Sequence, residues 1–360
     1  MSVHFPRKAA IVLALACLLV LLLLLFQSRN TASGSSASPE GNPDRAGHAS
    51  PASLSQKSVR ERPEAKRNRS LTETFGPVEQ AIEERLTAEQ IHAFVGSRNR
   101  NVEALLSAFR LGGGKAYLEE AMERFPDHPQ VLFASLTQEF DPAKKLTILE
   151  NLMRVDPGSG LGNCLAARAL FELGRKDEAL AEIQKVAGKP MNDFMIAFAQ
   201  SDEEAYLSAD FPPAKAKMMA LFGGSKQAVL QIRGLADSLG ELRGSYQSAG
   251  DSDSVETVRD LQIGLGRQLQ GGATIVDVLV GMAVEKKALQ DLDSEEQRAR
   301  LEEIGQRKEY LTGNTKRVMA LMEDPAVAES DWLLFFDRAK LFGEAAANEW
   351  MLEKYPGSEQ

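Results

Sequence analysis

An all-α protein is predicted, and three observations lead to it. Strand-like alternation is nearly absent, apolar residues recur at helical spacing over stretches of ten to twenty residues, and Gly or Pro punctuates the gaps between those stretches. Ahead of them stands one unbroken apolar run, Ala9 to Phe26. The predicted order is a cytoplasmic N-terminus over 1–8, a transmembrane signal-anchor over 9–26 and a flexible, disordered linker over 27–70. Antiparallel helix pairs follow over 71–200, then an irregular helical region with a terminal pair over 201–360.

The apolar run makes a helix of about 27 Å at ~1.5 Å per residue, enough to cross a bilayer's hydrocarbon layer. Arg7 and Lys8 precede it, which favours retention of that end in the cytoplasm and sends the rest of the chain outward. The expectation is a single-pass protein of the bacterial inner membrane with its body in the periplasm. Cleavage near Ser35-Ser36-Ala37 would instead release a periplasmic or secreted body. Ala14-Leu15-Ala16-Cys17 resembles a lipoprotein box with its apolar residue one place out of position. Nine more apolar residues after Cys17 favour a cysteine packed in lipid.

From Gln27 to Ser58 the chain is mostly Ser, Ala, Gly, Pro and Asn, with a single Leu. So little apolar area does not offset the entropy of ordering, which predicts a spacer. Lys57 to Arg69 is basic and suits a solvated flank or an anionic surface. The chain holds 42 Lys and Arg against 51 Asp and Glu; 32 and 47 of these lie in 71–360, a formal charge of −15 for that part. An acidic body argues against nucleic acid as partner, since binding it requires a positive surface. The two cysteines, Cys17 and Cys164, fall in different parts of the predicted organisation, so no disulfide is expected.

Thr87-Ala-Glu-Gln90 is a capping box opening a helix through Ile91, Phe94 and Val95. Val102, Leu105, Leu106 and Phe109 give the next helix its apolar face, and Gly112-Gly113-Gly114 ends it. Tyr117, Leu118, Ala121, Met122 and Phe125 mark an answering helix, stopped by Pro126 and Pro129. Residues 131–137 and 144–154 form another pair, closed by Asp156-Pro157-Gly158. Gly162 to Val186 is the clearest unit: Leu165, Ala166, Ala169 and Leu170 face inward, Gly174 turns the chain, and Ala179, Leu180 and Ile183 pack back.

Leu170-Phe-Glu-Leu-Gly-Arg-Lys-Asp-Glu-Ala179-Leu180 resembles the turn and second helix of a tetratricopeptide repeat. Asp156-Pro157 is similar to that family's inter-repeat turn, and Leu118 to Pro126 resembles the end of another repeat. The likeness is good over 160–186 and looser over 101–157, and the family's first-helix Trp and Tyr are missing before Gly174. It implies an irregular, TPR-like α-solenoid whose concave face holds a protein or peptide.

Farther on, Pro212-Pro213 and Gly223-Gly224 break the chain before a helix over Gln227 to Leu239. Gly250 to Ser254 caps a helix from Val255 to Leu269, and Thr274 caps a buried helix over Ile275 to Leu289, too short and charged to span a membrane. Glu295 to Arg307 reads as a solvated helix with Leu301 and Ile304 inward. Asp331 to Gly343 and Glu344 to Pro356 form a terminal capping pair anchored by Trp332 and Trp350, with Ala345 and Ala346 at the contact.

Candidate chemistry is sparse. His4, His48, His92 and His128 lack partners at metal-ligand spacing. His92 reads as a surface group and His128 as a polar turn residue. Cys164 reads as a small buried hydrophobe. Gly112-Gly113-Gly114-Lys115 lacks the upstream Gly, the Ser or Thr, and the strand of a phosphate loop. Glu119-Glu120, Glu295-Glu296 and Glu302-Glu303 are consecutive on helices and do not face each other. No catalytic, cofactor-binding or metal-binding residue is expected. The leading expectation is a membrane-anchored scaffold for a protein or peptide partner in the cell envelope. The alternatives are a helical enzyme acting on cell-wall glycan or an exported substrate, and a self-associating structural protein.

Overall fold

The computed structural model describes residues 70–72, 84–224, 227–290 and 294–356. The signal-anchor expected over 9–26 and nearly all of the linker expected over 27–70 lie outside the described residues. The described part is all-helical: no strand occurs among the described residues, and none of their helices is long and apolar enough to cross a membrane.

The chain folds into α1 (Ala88–Ser97), α2 (Val102–Ala108), a π-turn (Phe109–Gly113), α3 (Lys115–Arg124), α4 (Pro129–Ser135) and α5 (Pro142–Val155). Next come α6 (Leu161–Glu172), α7 (Lys176–Gln184), α8 (Met195–Ser208), α9 (Pro213–Phe222) and α10 (Gln227–Ala249). The last are α11 (Ser252–Leu269), α12 (Ile275–Leu289), α13 (Glu295–Leu321), α14 (Glu329–Phe342) and α15 (Glu344–Lys354).

Local signals account for most boundaries. The Thr87–Gln90 capping box forms, with Thr87 N–H donating to Gln90 Oε1 at 2.8 Å, and a second box joins Thr274 to Asp277. Gly174 adopts φ +74°, the left-handed value that a tight turn between α6 and α7 requires. Pro126 follows the end of α3, but Pro129 begins α4 rather than stopping a helix: at N1 its missing N–H has no intrahelical role. Three other spans differ from expectation. α10 runs ten residues past Leu239, α11 takes in Ser252 to Ser254 because Asp251 is its N-cap, and α13 continues to Leu321. Met122 stays 44% exposed, so the inner face of α3 is Leu118 and Ala121.

Neighbouring helices fold back on one another: α5 on α6, α6 on α7, α10 on α11, α11 on α12 and α14 on α15. Longer returns are superposed on that order. α8 packs against α1 and α2, α10 against α6, and α9 against α14. The cores follow these returns. One joins α1–α4 to Ala205, Tyr206, Ala216 and Met219 of α8 and α9, and another joins α6 and α7 to α10–α12. A third surrounds Trp332, Phe335 and Phe336 with Met218, Leu221, Val318 and Leu71. Trp332 is fully buried and Trp350 half-buried, and Ala347 rather than Ala345 or Ala346 is the closest-packed alanine of α15.

Candidate functional site

A cavity of about 540 Å³ opens between the π-turn, α4, the start of α5, α6, α8, α9 and α10. Three glycines shape one wall. Gly112 and Gly114 each take φ +99°, and a Cβ on Gly113 would lie 2.8 Å from both Ala108 O and the Tyr117 ring. The resulting turn brings Phe109, Arg110 and Leu111 to the cavity as consecutive residues. π-turns break helical register in this way and recur at functional sites.

Opposite that turn, Phe133 and Phe198 line the cavity, their centroids 6.2 Å apart, with Phe194 behind them 5.5 Å from Phe133. Phe194 adopts φ +59°, costly for an aromatic residue, and its N–H donates to Asn192 Oδ1 at 3.1 Å. The neighbouring Met195 N–H donates to Asp193 Oδ1 at 3.1 Å, so two side chains hold the start of α8.

The polar lining is largely paired. Arg110 donates from Nη2 to Asp202 Oδ1 at 2.5 Å and from Nε to Oδ2 at 3.1 Å, and its guanidinium lies 4.1 Å from the Phe198 ring centroid. Nη2 also reaches Ser107 and Ser201, both at 3.1 Å. Its Nη1 is buried without a hydrogen-bond partner. Arg168 contacts Glu172 at 3.0 Å and donates to Gly234 O and Ser238 Oγ of α10. Burial, with the charge of Asp202 adding to it, pushes the Tyr206 hydroxyl up to about 12, so it is a neutral hydroxyl at physiological pH.

The residues the sequence singled out lie elsewhere. His92 is exposed on α1. His128 precedes α4 with Nδ1 buried and unpartnered, and burial lowers its pKa below the ordinary imidazole value. Cys164 is buried in α6, where desolvation pushes its thiol up to about 12 and away from nucleophilic chemistry. Glu120 is held by Arg100 and Arg124, and Gly114-Lys115 begins α3. No group of three or more His, Cys, Asp or Glu suited to a metal occurs among the described residues. The cavity residues were missed because they come from six helices and a turn. Arg110 between Phe109 and Leu111 was the one local signal, a charge inside an apolar run just before three glycines.

A second feature lies on α14. Trp332, Phe335, Phe336 and Ala339 point into the core, whereas Leu334, Leu341 and Phe342 are 51%, 74% and 63% exposed. Leu334 and Leu341 are seven residues apart, so they share one outward face. Arg338 lies along that face, its guanidinium 5.4 Å from the Phe342 ring and 5.2 Å from that of Trp350.

Fold and sites together define an all-α body of folded-back helix pairs, with an amphipathic cavity and an apolar outer ridge. Comparison with family models, curated proteins and solved structures finds no match to this chain.

Proposed function

We propose that this chain is a membrane-tethered helical scaffold that holds a protein partner in the cell envelope, without catalytic activity. In this reading residues 9–26 anchor it in a bacterial inner membrane, 27–70 give it reach, and the acidic helical body faces the periplasm. Residues 101–186 act as divergent, TPR-like hairpins over which the later helices fold.

The observation that carries the reading is the ridge of Leu334, Leu341 and Phe342. Isolated exposed apolar residues are ordinary, but three large ones gathered on one helix mark a contact surface. The chemistry elsewhere agrees with binding rather than catalysis, since Asp202 and Glu172 in the cavity are each occupied by an arginine.

Proximity labelling from the carboxy-terminal body in the native cell tests this. Enrichment of periplasmic or inner-membrane proteins is expected, with the leading partner reduced at least ~tenfold by Leu341→Asp with Phe342→Asp, as for an interface anchor. Labelling of cytoplasmic proteins alone would overturn the topology. Labelling of this chain alone, with a concentration-dependent mass by light scattering that the double variant abolishes, would assign the ridge to self-association instead.

A further inference from the structure

Charge along the cavity lining is balanced, Arg85, Arg110, Lys145 and Arg168 against Glu139, Glu172, Asp193 and Asp202, but the pairing is uneven. Asp202 is taken by Arg110 and Glu172 by Arg168. Asp193 accepts the Met195 N–H, and one oxygen of Glu139 accepts the N–H groups of Phe140 and Asp141, each at 2.9 Å. Each of the four lining carboxylates therefore already has a partner, a cation for Asp202 and Glu172 and backbone N–H groups for Glu139 and Asp193. Lys145 also lines the cavity, half-buried in the first turn of α5, and its ammonium has no hydrogen bond or ion pair among the described residues. Arg110 Nη1 is a second donor without an acceptor.

Most of the remaining surface is hydrocarbon, with Thr137, Gln138, Gln231 and Tyr206 the polar exceptions. Phe133, Phe198, Leu165 and Met219 face the cavity, and Phe140, three residues before Ala143 in the turn that starts α5, is 83% exposed on the rim. The walls are mostly helix, so their backbone N–H and C=O groups are used within the helices. A peptide main chain entering there would find few free partners, whereas an alkyl chain or aromatic ring needs none.

We propose that this cavity binds a small amphipathic carboxylate, with its apolar chain or ring against Phe133 and Phe198 and its carboxylate at Lys145. A volume of about 540 Å³ falls within the ~300–1,000 Å³ common for small-molecule sites. The site is separate from the α14 ridge, so it stands or falls independently of the scaffold reading.

Isothermal calorimetry on the full chain in lipid nanodiscs, titrated with octanoate and with octan-1-ol and corrected against protein-free nanodiscs, tests the proposal. Saturable octanoate binding is expected, about tenfold tighter than octan-1-ol, as one charge-assisted contact provides. Lys145→Met removes that advantage, and Lys144→Met, on the exposed side of the same turn, leaves it intact. Equal affinity for acid and alcohol, no octanoate binding, or full octanoate affinity in Lys145→Met would each overturn it. So would saturable binding of a blocked acidic, aromatic peptide at this site with octanoate silent.

Discussion

Gly266 and Gly281 bring α11 and α12 so close that neither position has room for a methyl group. A Cβ on Gly281 would stand 2.5 Å from Gly266 O and 2.8 Å from Gln270 N. Gly281→Ala is therefore expected to lower stability by about 1–3 kcal/mol, read from urea unfolding, with Gly264→Ala, which meets nothing within 4 Å, as the comparison. The same helix pair buries Glu285 completely. Its carboxylate accepts from Arg267 Nε at 2.8 Å, Arg300 Nη2 at 2.8 Å and Gln270 Nε2 at 2.7 Å. Burial pushes this carboxyl up, and the bonds from Arg300, Arg267 and Gln270 more than reverse that. Glu285→Ala strands those donors. The expected loss is about 2–3 kcal/mol, below the ~3–5 of a fully buried pair because Arg267 and Arg300 reach water. Acid acts on the same kind of contact. Arg100, and then Arg124, hold Glu120 at about 2 against an ordinary 4.5, and Lys354 with Tyr355 lowers Asp331. A depressed folded-state pKa stabilises above the unfolded value and loses that contribution as pH falls through the folded one. The urea midpoint should fall between about pH 4.5 and 2, and Glu120→Gln should flatten part of that fall.

Among the elements, the π-turn and the α14–α15 corner depend most on single backbone positions. Gly113→Ala would press a methyl group against Ala108 O and the Tyr117 ring, and its neighbours Gly112 and Gly114 already hold left-handed conformations. The turn's three cavity residues would shift together, so this change should weaken octanoate binding and lower stability by about 1–3 kcal/mol. A loss of stability with octanoate binding unchanged would separate the turn from the cavity. At the other corner Gly343 has φ +86° and lies close to Ala273 O. The Glu344 N–H donates to that oxygen at 2.9 Å, while Glu344 Oε2 accepts the Ile275 N–H at 2.8 Å. Helix starts were the most legible elements, because Thr87, Thr274, Asn101 and Asp141 cap through their own side chains. Helix ends were less so: α10 and α13 run on because tertiary burial of Leu242, Leu311 and Val318 extends them past their weak local signals.

Across the whole described body, one buried polar cluster ties distant helices. Glu203 of α8 meets Lys217 of α9 at 2.9 Å and Lys340 of α14 at 2.5 Å, and Asp337 of α14 also contacts both lysines. Residues 137 positions apart are thereby fixed beside the Trp332 core. Glu203→Ala leaves two half-buried ammonium groups sharing the more exposed Asp337. It should detach α14 before the rest, seen as earlier amide-exchange in 329–356 than in α6 and α7, whereas uniform exchange throughout would show that the cluster is incidental.

What the sequence by itself determined was the helical class, the caps, the Gly174 and Gly343 turns, the inward face of most helices and the burial of Cys164. These depend on periodicity and on residues within about four positions of one another. The apolar run over 9–26 and the acidic balance of the rest are equally sequence properties. Only the tertiary structure decided that α8, α9 and α10 return onto earlier helices, that Arg110, Lys145 and Phe198 share a cavity, and that Leu341 and Phe342 stay outside while Phe335 and Phe336 go in. Those outcomes depend on which helix faces meet across 60 to 140 residues, and helical periodicity gives each face its character without naming the face it meets.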